Sequence, residues 1–270
     1  ELLPALDELD RHGGHAVAGF RDVIDEPHFV RELWQETGIY DVLRSRYDRV
    51  CVYGDPSVID FADYGLDVQS GISVHYCGYL GRESLPDEAE RPPGPFVLAT
   101  SGGGADGRGV LDQFLKAASI LRPQVGGRWL AVTGPLMADA DHECLVRLAA
   151  RLGVEVRRVI PNLRREVAKA DCVVSMAGYN TVCDVFSYRR PAVLVPRTGP
   201  SLEQSLRAER LKEWEAAHVV GARELSGKAL ADAIRSALSQ DGLPPVPIPL
   251  DGLQRALDVF DATLGHAKAA

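Results

Sequence analysis

The stretch Asp171-Cys172-Val173-Val174-Ser175-Met176-Ala177-Gly178-Tyr179-Asn180-Thr181-Val182-Cys183-Asp184 brings together residue types that can hold a charged, hydroxyl-rich ligand. It reads as strand, tight turn and helix. The apolar run ends at Ser175 and Gly178 opens the helix. The first N–H groups of a helix have no acceptor within it and sit at the positive end of its dipole, so such an opening suits a diphosphate. Asn180 and Thr181 fall in the first turn and add hydrogen-bonding groups. Asp184 follows Asn180 by four residues and shares its helix face, where a carboxylate can accept from two ribose hydroxyls. The plainer alternative is a capped helix with one solvated carboxylate.

Two further stretches carry similar chemistry. Thr100-Ser101-Gly102-Gly103-Gly104-Ala105-Asp106-Gly107-Arg108-Gly109 lies between an apolar strand and a helix. Three consecutive glycines are costly to order unless the backbone must bend or approach a ligand closely, so Ser101, Gly102, Gly103 and Gly104 are candidate ligand contacts. No Gly-Lys-Ser/Thr follows, so the loop is not a Walker A motif, although Gly102, Gly104 and Gly107 fit GxGxxG spacing. The third stretch, Val195-Pro196-Arg197-Thr198-Gly199-Pro200-Ser201-Leu202-Glu203-Gln204-Ser205-Leu206-Arg207-Ala208, ends a strand in proline and starts a helix at Glu203-Gln204. A carboxylate beside an amide can fix sugar hydroxyls at the carboxyl edge of a sheet, where open α/β domains bind ligands. Arg197 is read either as a phosphate contact or as a solvated loop residue. Asp139-Ala140-Asp141-His142 contains a DxD, but acids in a first helical turn serve the helix dipole equally well, so no metal site is expected. His15, His75 and His218 lie in or beside strand runs and read as packed or rim residues, and His142 as solvated.

These motifs need a scaffold, and the chain alternates short β-branched runs with helical stretches. Early strands are expected at His15–Phe20, Arg49–Tyr53 and Ile72–Tyr76, with helices near Leu2–Arg11, Pro27–Glu36 and Ile39–Arg46. Residues 81–95 are Pro-rich and polar and read as a linker. Beyond it strands are expected at Phe96–Thr100, Arg128–Thr133, Val154–Val159, Asp171–Ser175, Ala192–Pro196 and His218–Val220. Helices near residues 110–121, Asp139–Leu152, Leu163–Lys169, Tyr179–Tyr188, Leu202–Ala216 and Gly227–Leu238 separate or follow them. Such alternation means right-handed βαβ units and a doubly wound parallel sheet. A Pro-rich connector, Leu243–Pro249, precedes a last helix at Leu253–Leu264. The expected domains are a partial N-terminal one over 1–80, the linker 81–95, a whole α/β domain over 96–240, and a segment 241–270 whose helix packs back toward the N-terminal domain. Three strands are too few for a doubly wound N-terminal domain, and the opening Glu1-Leu2-Leu3-Pro4 reads like the middle of one.

Composition bounds the partners. Thirty Lys+Arg against 38 Asp+Glu give a net charge of −8, which argues against a dedicated nucleic-acid binder. No apolar run reaches the ~20 residues of a spanning helix, and the opening residues lead us to expect no signal peptide. The five cysteines, Cys51, Cys77, Cys144, Cys172 and Cys183, are odd in number and scattered, which suggests reduced thiols and a cytoplasmic protein.

Together the three stretches resemble the donor-binding C-terminal domain of GT-B glycosyltransferases of the MurG type. The resemblance rests on Ser101-Gly102-Gly103-Gly104, on Ser175, Gly178, Thr181 and Asp184 at the spacing of that group's Ser-x-x-Gly-x-x-Thr-x-x-Glu, on Pro191-Ala192-Val193-Leu194-Val195-Pro196, and on Glu203-Gln204. It spans about 120 residues. Arg21-Asp22-Val23-Ile24-Asp25-Glu26-Pro27 and Tyr53-Gly54-Asp55-Pro56 look closer to the little-characterised "predicted glycosyltransferase" relatives. The resemblance implies two Rossmann-like domains with parallel sheets, the N-terminal one incomplete here. It implies a hexosyl-transferring enzyme that passes a sugar from a UDP-sugar, with a dTDP-sugar next, to an acceptor hydroxyl, inverting and without metal or other cofactor. Asp184 stands where the family's ribose-binding Glu stands. Gly178, Tyr179 and Asn180 would line the diphosphate, Glu203 and Gln204 the donor sugar, and Ile160 in the Ile160-Pro161-Asn162-Leu163 turn the base edge. The general base belongs to the N-terminal side, with Asp22 and Asp25 as cleft candidates, though helix capping also explains Asp25. The acceptor and the oligomeric state are unspecified, and any peripheral membrane contact falls to the N-terminal part. A nucleotide-sugar hydrolase or 2-epimerase on the same fold, and a non-catalytic nucleotide-sugar-binding module, are the alternatives.

Overall fold

A computed structural model describes residues 2–67, 70–82, 92–240 and 248–266. The chain forms two units, Glu1–Gly81 with Pro247–Ala270, and Arg82–Val246.

The first unit holds α1 (Leu3–Arg11), β1 (Val17–Arg21), α2 (Pro27–Thr37), α3 (Ile39–Arg46), β2 (Arg49–Tyr53), a 3-10 turn at Phe61–Tyr64, β3 (Val74–Tyr76) and α10 (Gly252–His266). The strands form a parallel sheet in the order β1-β2-β3. On the central strand Val50, Cys51 and Val52 are fully buried, because both faces are covered. One face packs Val50 and Val52 with Trp34, Phe61 and Tyr64, and the other packs Cys51 and Cys77 with Ala256, Val259 and Phe260 of α10. Helix α2 starts at Pro27, whose fixed φ suits a first turn, and ends at Gly38 with φ 70°. Its cap is Glu26, which accepts from the Phe29 N–H at 2.8 Å, and not Asp25. Asp25 accepts from the Glu26 N–H instead. Asp22 is buried and accepts from the Tyr79 hydroxyl at 2.7 Å. Residues 83–91 of the expected linker and 243–247 of the expected connector lie outside the described residues.

The second unit holds β4 (Phe96–Thr100), α4 (Arg108–Val125), β5 (Arg128–Val132), α5 (Asp139–Ala150), β6 (Glu155–Arg157), α6 (Arg164–Lys169), β7 (Cys172–Ser175), α7 (Tyr179–Ser187), β8 (Ala192–Leu194), α8 (Glu203–Glu213), β9 (His218–Val219) and α9 (Gly227–Leu238). All six strands are parallel, in the order β6-β5-β4-β7-β8-β9. Every residue of β4, β7 and β8 is buried, as helices on both faces require. The core gathers Leu111, Phe114 and Leu121 of α4, Trp129 of β5, and Ala231 and Ile234 of α9. The Phe114 and Trp129 rings stand 5.6 Å apart. Helix α9 passes so close to α4 that a Cβ on Gly227 would lie 2.5 Å from that of Lys116.

Apart from the 3-10 turn at Phe61–Tyr64, differences from the sequence reading sit at element ends. Strand β6 covers only Glu155–Arg157 of the expected Val154–Val159, as an edge strand whose side chains are half-buried at most. Strand β8 stops at Leu194 rather than Pro196, though Val195 still donates to the Ser175 carbonyl; Pro196 has no N–H to extend the ladder. Helix α8 stops at Glu213, and Glu215 takes a left-handed φ of 52° that ends the turn. No described helix is long and apolar enough to cross a membrane. All five cysteines are free.

Candidate functional site

From β4 the chain winds one way to β5 and β6, then returns to β7 and winds the other way. The crevice beyond the carboxyl ends of β4 and β7 is therefore the topological switch point, where open α/β sheets bind ligands. Thr100 pairs with Ser175 and Ser175 with Leu194, so the three strands end level and deliver their loops to one edge.

The glycines of the loop after β4 divide into two groups. Gly104 has φ 96° and lies so close to β5 that a Cβ would stand 2.1 Å from the Thr133 carbonyl oxygen. A Cβ on Gly107 would stand 2.1 Å from that of Ser101. These two serve the loop's own folding. Gly102 and Gly103 are exposed, and no atom of the described residues lies within 4 Å of a Cβ on Gly102. Ser101 is buried and donates its hydroxyl to the Thr133 carbonyl at 2.7 Å.

Beyond β7 the turn is tighter. Ala177 is fully buried with a left-handed φ of 61°, an arrangement that non-glycine residues hold only when their surroundings enforce it. Arg207 of α8 supplies that enforcement. It has no exposed surface, donates to the Ala177 carbonyl at 2.7 Å and lies over the Tyr179 ring at 5.9 Å. Gly178 then caps α7 with φ −65° and ψ 142°, a conformation open to any residue, and no atom of the described residues lies within 4 Å of a Cβ placed there. No side chain caps the helix among the described residues. Ser175 is 1% exposed, and its hydroxyl has no partner among them. Buried hydroxyls are seldom left so.

Helix α7 buries Val182, Cys183, Val185 and Phe186 and turns Asn180, Thr181, Asp184 and Ser187 outward as a polar stripe. Asp184 is met by Arg82, whose Nε donates to Oδ1 at 3.0 Å. Burial pushes the Asp184 carboxyl up from its ordinary value, with Arg82 and then Arg164 opposing that shift.

The loop after β8 carries Arg197, which bridges Asp106 at 3.3 Å and Glu203 at 3.2 Å. Its backbone N–H donates to Gln204 Oε1 at 3.2 Å, and Gln204 is 8% exposed. Glu203 also lies 3.8 Å from Arg207. Glu203 and Gln204 thus already hold this loop in place, and Arg197 ties it to the glycine loop.

The structure brings Ser101, Gly102, Gly103, Gly104, Ser175, Gly178, Tyr179, Asn180 and Thr181 to two adjacent strand ends, with Asp184 one turn along α7. Ile160 is half-buried in the loop after β6, at the far edge of the sheet. The acids of the DxD are each taken by an arginine, Asp139 by Arg158 and Asp141 by Arg108, both at 2.7 Å. His142 lies 2.9 Å from the Thr133 hydroxyl, so it is bonded to the end of β5 rather than free in solvent. His15 meets Asp48 and His75 meets Arg49, each at 3.0 Å. Two residues escaped the sequence reading. Arg82 sat in a stretch read as linker. Arg207 had a signal, since it shares the buried stripe of α8 with Gln204, Ala208 and Leu211, where an arginine needs buried partners.

Residues 115–242 match the model of the glycosyltransferase family 28 C-terminal domain. A relative from Rhodopseudomonas palustris (strain BisA53), described as UDP-N-acetylglucosamine--N-acetylmuramyl-(pentapeptide) pyrophosphoryl-undecaprenol N-acetylglucosamine transferase, is 28% identical over 163 residues. That match covers 60% of this chain and 43% of the relative, so the chain spans less than half the relative's length. The calicheamicin glycosyltransferase CalG4 is similar in fold, with a TM-score of 0.59 at 18% identity over 95% of this chain and 69% of that one. Acinetobacter baumannii MurG gives a TM-score of 0.52 at 17% identity over 87% of this chain and 77% of its own.

Proposed function

We propose that this protein, whose residues 115–242 match the glycosyltransferase family 28 C-terminal domain and whose fold is that of GT-B enzymes, transfers a sugar from a nucleoside diphosphate sugar to an acceptor hydroxyl. UDP-sugars come first as donors and dTDP-sugars next. The observation that carries this reading is the open start of α7. Among the described residues Gly178 leaves the space before an uncapped helix N-terminus clear, and the Ser175 hydroxyl, at the adjacent strand end, has no partner. Backbone donors and a positive dipole end there suit a diphosphate.

In this reading the stripe of α7 takes the nucleoside, with Asp184 accepting from the ribose hydroxyls and Ile160 on the base side. Gly102 and Gly103 border the diphosphate, and Glu203 and Gln204 face the donor sugar. The acceptor oxygen forms the new bond to the anomeric carbon from the side opposite the leaving group, which inverts that centre. The electron pair of the breaking C–O bond leaves on the nucleoside diphosphate. The start of α7 stabilises that charge, so the step calls for no metal. The acceptor's proton goes to a base for which no described residue is assigned.

The test follows UDP release from UDP-N-acetylglucosamine, the donor named for the Rhodopseudomonas relative, and from other UDP- and dTDP-sugars, with and without candidate acceptors. Release that requires an acceptor supports transfer. Release without one makes the protein a hydrolase or epimerase, and binding without turnover makes it a nucleotide-sugar-binding module.

A further inference from the structure

Arg82 is the first residue of the second unit, and it is bound to α7 twice. Its Nε donates to Asp184 Oδ1 at 3.0 Å, and its backbone N–H donates to Ser187 Oγ at 2.8 Å. Ser187 Oγ in turn donates to the Cys183 carbonyl at 2.7 Å. Both anchors lie on the polar stripe of α7, the face that carries Asn180 and Thr181 toward the helix start. The pair is partly exposed, at 34% for Arg82 and 20% for Asp184, so it adds little to stability. A carboxylate offers two oxygens, and Arg82 takes only one. Oδ2 takes no hydrogen bond from the described residues.

We infer that Arg82 is a positioning residue of the nucleotide site, holding Oδ1 of Asp184 so that Oδ2 is presented, ionised, to the ribose hydroxyls of a nucleoside diphosphate. The inference rests on the assignment of Asp184 to the ribose. An aspartate half-buried on a helix face rotates freely about its terminal torsion, and a guanidinium bonded through Nε fixes that rotation. The same cation offsets the burial that raises the carboxyl. The other groups facing this carboxylate are Arg164, of the same sign as Arg82, and Tyr188, which burial keeps protonated. The Tyr188 backbone N–H donates to the Asp184 carbonyl, but neither side chain is bonded to the carboxylate, so among the described residues Arg82 sets its orientation.

The experiment titrates UDP and 2′,3′-dideoxy-UDP into the wild-type chain and into the Arg82→Ala, Arg82→Lys, Asp184→Asn and Arg82→Ala/Asp184→Asn variants, each first shown to melt as the wild type does. The expected result is a loss of UDP affinity of at least about three-fold in Arg82→Ala, the coupling of residues in one hydrogen-bonded network. Partial recovery is expected in Arg82→Lys, with no change for the dideoxy ligand and no further loss from Arg82→Ala once Asp184 is Asn. A ribose bound to the ionised carboxylate also loses affinity as pH falls through the Asp184 pKa. Removing Arg82 raises that pKa further, so the acid limb of UDP affinity moves to higher pH. Tighter UDP binding in Arg82→Ala overturns the inference, because Arg82 would then compete with the ribose. An equal loss for both ligands also overturns it, since Arg82 would then act on the phosphates or on the fold. If Asp184→Asn leaves the preference for UDP over its dideoxy form unchanged, the ribose assignment itself fails, and that outcome is separate from the other two.

Discussion

Gly178→Val separates a glycine kept for a ligand from one kept for folding. Gly178 has φ −65° and ψ 142°, which valine adopts without strain, and no atom of the described residues lies within 4 Å of a Cβ at this position. Replacing glycine by a poorer helix cap costs about 0.5–1 kcal/mol. The narrower unfolded ensemble of valine returns roughly 0.4–1 kcal/mol. The two terms nearly cancel, so the melting temperature should move by no more than about 3 °C. Binding should respond differently. The valine methyl groups occupy the space in front of the first-turn N–H groups and displace a phosphate oxygen from at least one charge-assisted hydrogen bond, worth about 1.5–3 kcal/mol. UDP affinity should fall about 10- to 100-fold, with Gly178→Ala in between. Thermal melting and calorimetric titration of UDP on the same samples check both halves. A valine variant that binds UDP like the wild type removes the start of α7 from the phosphate site. One that loses many degrees of melting temperature shows that folding requires the glycine.

Gly104→Ala should do the reverse, because φ 96° and a Cβ 2.1 Å from the Thr133 carbonyl oxygen leave no room. A stability loss above about 2 kcal/mol in urea unfolding is expected, and a loss within experimental error would contradict the packing described. Arg207→Met removes the donor to the buried Ala177 carbonyl and should cost about 1–3 kcal/mol while weakening UDP binding, since Ala177 precedes Gly178. Unchanged stability and affinity together would show that α8 does not hold the turn. Burial holds His218 below its ordinary value of 6.5, with Gln240 opposing. Between the lowered value and 6.5 the unfolded chain takes up a proton that the folded chain does not, so this contribution to stability is lost as pH falls through that window. His218→Phe should flatten the dependence of unfolding free energy on pH between roughly pH 7.5 and 5.5, and an unchanged slope would exclude His218 as its source.

The sheet of the second unit was legible because its strands are continuous apolar runs and its helices begin where polar or glycine-rich turns interrupt them. Phe96–Thr100 and Gly227–Leu238 fall at the expected residues. The 3-10 turn at Phe61–Tyr64 was not legible. Its aromatic residues are fixed by Trp34 and Tyr76, partners distant in sequence, rather than by a local period. Within the site, spacing placed Ser175, Gly178 and Asp184 on one strand–turn–helix, but it could not rank the glycines. Gly104 and Gly178 look alike in sequence and differ only once φ and the neighbouring backbone are known. Ionic partners were the least legible, because Arg82, Arg197 and Arg207 find their carboxylates and carbonyls through the fold. The bonds that Ser101 and Gln204 make within the protein, to the Thr133 carbonyl and from the Arg197 N–H, were likewise not announced by their types.

The central claim is that a nucleoside diphosphate sits at the carboxyl edge of the second unit's sheet, over the start of α7. Backbone amide chemical shifts recorded during titration with UDP, and separately with uridine, test it most directly. The account predicts that UDP shifts the amides of Gly102, Gly103 and Gly178–Thr181, with Asp184 following, and that uridine leaves Gly178 and Tyr179 unmoved while still reaching Asp184. Shifts confined to the opposite edge of the sheet, around Pro95, Asp171 and Arg189–Pro191, or identical responses to UDP and uridine at Gly178, would contradict it.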